Sequence, residues 1–96
     1  METQKTISEW IVSTFGDAGS NASVIARANR EMSELLQAVT INDNHPELAE
    51  EAADITIILM RLCERVGADL LTEIDRKMQV NRNRKWKVAN GHGYHV

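Results

Sequence analysis

Glu31 and Glu34 stand three residues apart, and Glu51 and Asp54 repeat that spacing twenty residues on. On a helix an i, i+3 separation puts two side chains roughly 60° apart on one face, so each pair would point a single way from its own helix. Between the pairs lies Asn42-Asp43-Asn44-His45-Pro46, a polar break whose proline suits the first turn of a following helix. The two helices are therefore expected to fold back antiparallel and to bring four carboxylates to one place. Four like charges repel unless a cation lies among them. Donors that are oxygen alone suit a hard divalent ion, magnesium or manganese.

Periodicity predicts four helices and no strand. Thr6 with Glu9 reads as a capping box opening a helix that turns Ile7, Trp10, Ile11 and Phe15 toward a core, until Gly16 and Gly19 break it. From Asn21 or Ala22 to Thr40, Val24, Ile25, Ala28, Met32, Leu35, Leu36 and Val39 form an apolar stripe with Glu31 and Glu34 at its edge. A third helix is expected from Pro46 to a left-handed cap at Gly67, apolar around most of its circumference. So greasy a helix needs cover on several sides, and in a chain with few helices a second copy is the expected source. Asp69 should cap a fourth helix with Leu70, Leu71, Ile74 and Met78 inward. Its other stripe is basic: Lys77, Asn81 and either Arg84 or Lys85, with Arg76, Arg82 and Lys87 adding charge. Residues 90–96 read as a tail. The expected fold class is all-α, a single domain over residues 1–96 whose antiparallel helices form a four-helix-bundle-like core completed by dimerisation.

Size and charge narrow the function. A chain of 96 residues buries only about 60 to 70% of the surface it exposes when unfolded, which makes the lone monomer marginal. With a net charge of -3, nothing points to a general nucleic-acid or membrane surface, so no nucleic-acid polymer and no membrane is expected as partner. A free nucleotide is compatible with that charge if a metal masks its phosphates. No apolar run approaches the roughly 18 residues of a membrane span. The single cysteine, Cys63, and the absence of a charged-then-apolar N-terminal signal make the cytoplasm the expected compartment.

Acids at i, i+3 usually mark a solvated face, but here the acidic line runs into apolar surface: Asp54 toward Ile58, Glu51 toward Ile55, and Glu31 beside Ala28 and Leu35. Half-buried acids need compensation, which a metal supplies. A ferritin-like di-iron bundle would need Glu-x-x-His pairs, and His45, His92 and His95 all fall outside the predicted helix interiors. Cys63 sits among Leu59, Leu62 and Val66 as an inert thiol.

Glu31-Met32-Ser33-Glu34 followed by Glu51-Ala52-Ala53-Asp54 resembles the E-x-x-E and E-x-x-D signature of the MazG-like, all-alpha nucleoside triphosphate pyrophosphohydrolases. Lys77-Met78-Gln79-Val80-Asn81-Arg82 is similar to that family's last-helix Lys and Asn motif, and the resemblance extends over nearly the whole chain. It implies magnesium-dependent hydrolysis, with manganese as substitute, of a (deoxy)nucleoside triphosphate to monophosphate and pyrophosphate, as nucleotide-pool housecleaning. It implies Glu31, Glu34, Glu51 and Asp54 as metal ligands and catalytic groups, with one of them or Glu50 holding the attacking water. Lys77 and Asn81, then Arg84 or Lys85, would contact phosphates and sugar; Trp10 is a candidate to stack on the base, against its plainer reading as a core aromatic. The expected assembly is a homodimer or a dimer of dimers. Two alternatives stand beside this: the same scaffold acting on a specialised phosphoanhydride such as phosphoribosyl-ATP or dUTP, and a non-catalytic dimeric helical module that binds a nucleotide or protein.

Overall fold

A computed structural model describes residues 1–96. Helix α1 spans Gln4–Phe15, α2 Asn21–Ile41, α3 Leu48–Arg65 and α4 Leu70–Arg82; two short strands follow, β1 (Trp86–Ala89) and β2 (His92–His95). The four expected helices are present, with local chemistry that fixes most of their ends. Ser20 caps α2 by accepting from the Ser23 N–H, and Asp69 caps α4 by accepting from Thr72. Helix α3 closes in a Schellman motif, the Ala68 N–H donating to the Cys63 carbonyl and Gly67 to Glu64, with Gly67 at φ 74°.

Several expected boundaries move. The capping box of α1 is Thr3 with Thr6, not Thr6 with Glu9: the two threonine hydroxyls serve each other's backbone N–H, so the helix begins three residues earlier. Helix α3 starts at Leu48 because Pro46 and Glu47 form a preceding turn, in which His45 Nδ1 accepts from the Glu47 N–H. The expected absence of strands is corrected, and so is the tail at 90–96: β1 and β2 pair antiparallel, Trp86 opposite His95 and Ala89 opposite His92. Asn90 and Gly91 make the two-residue turn, at φ 53° and 77°, the pair of positive angles that a right-twisted hairpin needs.

Helix α3 is the centre of the molecule, packed by α2 along one side and α1 along another. Ile11, Val24, Ala28 and Ile55, one or two from each of the three helices, are the buried apolar residues. Buried Gln4 ties the far end together. Its Nε2 donates to Glu64 Oε2 (2.9 Å) and to the Ala68 carbonyl (2.8 Å), while its Oε1 accepts from the Leu70 N–H (2.7 Å). Helix α4 buries none of its residues, and Leu71, Ile74 and Met78, expected inward, lie exposed. Trp10 and Phe15 are likewise exposed rather than core. The reason is common to both: within one chain nothing packs against those faces. No helix is long and apolar enough to cross a membrane.

Candidate active site between the acidic helices

A cavity of about 750 Å³ opens where α1, α2 and α3 meet. Along α2 its lining runs through Ser23, Val24, Arg27 and Glu31; along α3 it runs back through Arg61, Ile58, Ile57 and Asp54. Low numbers on α2 thus face high numbers on α3, the antiparallel arrangement that the break at residues 42–46 requires. Helix α1 and the loop after it supply a third wall with Trp10, Ile11, Phe15 and Ala18. Trp10 and Phe15 meet edge to face, ring centroids 5.4 Å apart at 88°.

One acid from each pair, Glu31 and Asp54, therefore faces the same space. Glu34 is exposed on α2 and Glu51 half-buried in the first turn of α3, and neither lines the cavity. No three Asp, Glu, His or Cys side chains stand close enough to hold an ion among them, so the expected gathering of all four carboxylates is absent from this arrangement. Glu31 shows why: its carboxylate lies along its own helix against Arg27, Nη2 to Oε1 3.0 Å, and like charges elsewhere gain by standing apart. The donor chemistry nevertheless fits a hard divalent cation, being carboxylate oxygen throughout, with Glu31 only 16% exposed beside an apolar wall.

Two arginines one turn apart on α3 reach across to the loop between α1 and α2. Arg61 donates to the Gly16 carbonyl; Arg65 donates to Asp17 and to Asn21 Oδ1 (2.8 Å). The hydrogen bond from Arg65, then the backbone N–H of Gly19 and the Arg65 charge, hold the Asp17 carboxyl below the usual carboxylate range. Cys63 is half-buried in α3, and burial first, then the charges of Glu73 and Asp69, push its thiol up.

The basic candidates do not line this cavity. Lys77 is exposed on α4; Asn81 is half-buried, with its Oδ1 enclosed and unpartnered and its carbonyl accepting from the Trp86 indole N–H at 2.8 Å. The stripe expected to continue to Arg84 or Lys85 stops, because α4 ends at Arg82, where Asn83 Nδ2 turns back to the Gln79 carbonyl. Lys87, expected on the helix, lies in β1. Arg27, Arg61 and Phe15 are cavity residues that sequence pattern did not single out for the site. Arg27 precedes Glu31 by one turn and Arg61 follows Asp54 by two, spacings that mark both as neighbours of the acids.

Comparison with known proteins points one way. Residues 29–95 match the family model described as MazG-like family. A dATP/dGTP diphosphohydrolase of Salmonella phage PMBT28 is 30% identical over 96 residues, 99% of this chain, although the chain spans only 31% of the length of that relative. A cyanophage S-2L MazG-like pyrophosphohydrolase, solved bound to dGDP and three catalytic Mn2+ ions per active site, is 26% identical with a TM-score of 0.74. That match covers 97% of this chain and 88% of the solved one.

Proposed function

The chain belongs to the MazG-like family, and on that premise we propose that it hydrolyses deoxynucleoside or nucleoside triphosphates, with a divalent metal, to monophosphate and pyrophosphate. The observation that carries the reading is the placement of Glu31 and Asp54, one acid from each signature pair, on the wall of the cavity between α2 and α3. In the proposed reaction water attacks one of the two phosphorus atoms flanking the α–β bridge, the bond from that phosphorus to the bridging oxygen breaks, the bridging oxygen leaves on the other product with the electron pair, and a carboxylate takes the water's proton.

Glu31, Glu34, Glu51 and Asp54 are the proposed ligands. Magnesium is the proposed physiological ion and manganese its substitute; the three manganese ions of the cyanophage protein support a divalent metal. A cation held there neutralises phosphate charge and supplies a more acidic water. One of the carboxylates, or Glu50 beside them, would take the proton from that water. Trp10, exposed on the α1 wall against Phe15, offers a ring face for the base, a contact worth about 1–3 kcal/mol where aromatics stack on bases. A dATP/dGTP-directed relative and a dGDP-bound one favour a purine deoxynucleotide as substrate. Removal of unwanted triphosphates from the nucleotide pool, in the cytoplasm, is the proposed role.

The proposed assembly is a homodimer, or a dimer of dimers, in which the exposed apolar residues of α2 and α4 are covered by a second copy. Because Lys77, Asn81, Arg84 and Lys85 do not line the cavity of their own chain, their proposed phosphate and sugar contacts are to the partner copy's substrate.

Incubation with dGTP, dATP and a panel of other triphosphates, with and without magnesium, tests the reaction through its products. Monophosphate and pyrophosphate in equal amounts, dependent on metal and lost in Glu51→Gln, are expected. Orthophosphate as the product, or no turnover of any member, would overturn it.

A further inference from the structure

We propose that Arg27 is an exchangeable counter-ion of the site, which holds Glu31 while the carboxylates lack a cation and moves to the substrate's phosphates once Glu31 ligates one. The inference rests on the proposed role of Glu31 as a metal ligand.

An Arg–Glu pair at i, i+4 is ordinarily a surface ornament of little consequence. Three features set this one apart. Both partners line the cavity together with Asp54, so the pair stands inside the site. Its two members differ in freedom: the Glu31 side chain is 16% exposed and fixed against the wall, whereas that of Arg27 is 58% exposed on a flexible stem. The only other Lys or Arg on the wall, Arg61, is already engaged with the Gly16 carbonyl. Arg27 is thus the one cavity cation whose present partner is itself a proposed metal ligand.

Charge governs the exchange. A carboxylate that ligates a divalent ion has part of its charge offset and its lone pairs taken up by that ion, so it holds a guanidinium less strongly. A triphosphate brings about four negative charges to the same cavity, and a guanidinium fork matches phosphate oxygens in geometry and charge. Arg27 therefore competes with the metal for Glu31 but cooperates with the nucleotide, so its removal shifts the two affinities in opposite directions. A merely structural pair would not do this.

The test uses the full chain and two probes: Mn2+ alone, followed by the spin resonance of the free ion, and a dGTP analogue with a methylene between its α and β phosphates, titrated calorimetrically at saturating Mn2+. Arg27→Ala is expected to bind Mn2+ about two- to fivefold more tightly than wild type and the analogue about tenfold or more weakly. Arg27→Lys should fall between. Arg30→Ala, which removes the same charge from an exposed position off the cavity, should change neither by more than about twofold. If Arg27→Ala matches Arg30→Ala in either titration, the counter-ion role is overturned while the metal site stands. If Glu31→Gln takes up Mn2+ as wild type does, Glu31 is not a ligand, and that outcome overturns both readings.

Discussion

At the scale of single residues, Asp17 gives the clearest dependence on pH. It is well exposed, yet the Arg65 hydrogen bond, the Gly19 N–H and the Arg65 charge lower its folded-state pKa. A depressed carboxyl contributes stability that is present above its unfolded value, about 3.9, and is lost as pH falls through the lower folded value. Asp17→Asn should therefore melt below wild type at pH 7, and the gap should narrow in acid below the unfolded value. Melting curves in the two conditions check this; a gap that does not narrow in acid would mean that the Asp17 charge is not what pins the loop. The two acids that line the cavity, Glu31 and Asp54, are legible in the sequence because i, i+3 spacing and the apolar residues beside them are local facts. The roles of Arg61 and Arg65 are not, since each is set by a contact across more than forty residues. Trp10 was half-legible: its apolar periodicity was right, but periodicity does not say whether a neighbour exists to cover the face.

Among the elements, the helices are readable in the sequence and the hairpin is not. The hairpin segment alternates apolar and polar residues only over Trp86-Lys87-Val88 and Tyr94-His95-Val96, carries two glycines and has no buried position, so the strand signal is too short to stand out. Asn90-Gly91 was the available clue, the dipeptide most suited to a two-residue turn with positive φ at both positions. Gly91→Val should strain that turn by about 1–2 kcal/mol, read as a changed Trp86 fluorescence and a lower urea midpoint. An unaltered midpoint would show that the hairpin adds nothing to the fold. Gln4 is illegible in the sequence for a different reason: a glutamine near a helix start looks like solvated surface, and its three hydrogen bonds to Glu64, Ala68 and Leu70 close over about sixty residues or more. Gln4→Ala leaves the Leu70 N–H without its partner and should cost about 2 kcal/mol in urea unfolding. A cost near zero would mean that water replaces the side chain freely.

As a whole molecule the chain is more open than a compact monomer of its length. Its radius of gyration is 15.8 Å, against about 12.5 Å for a compact chain of this length. Its accessible surface is 7486 Å², against roughly 5,500 Å² for a folded monomer of its mass. The excess is of the size that each member of an extensive subunit pair buries, and it includes Ile25, Met32 and Leu36 of α2 with Leu71, Ile74 and Met78 of α4. Sedimentation should give at least twice the chain mass at micromolar concentration, with a melting temperature that rises with concentration. Leu71→Asp should shift the mass toward one chain and lower activity with it. A concentration-independent monomer that melts cooperatively would contradict the proposed assembly.

The most direct measurement is the metal-induced shift in melting temperature for wild type, for Glu31→Gln, Glu34→Gln, Glu51→Gln and Asp54→Asn, and for Glu9→Gln as an acid on α1 away from the cavity. If the two acidic pairs ligate a cation between α2 and α3, magnesium or manganese raises the melting temperature of wild type and Glu9→Gln, and the shift disappears in each of the four variants. Asp54→Asn should also melt higher than wild type without metal, because one of the repelling charges is gone. A shift that survives in the four variants, or that Glu9→Gln loses equally, would contradict the ligand set.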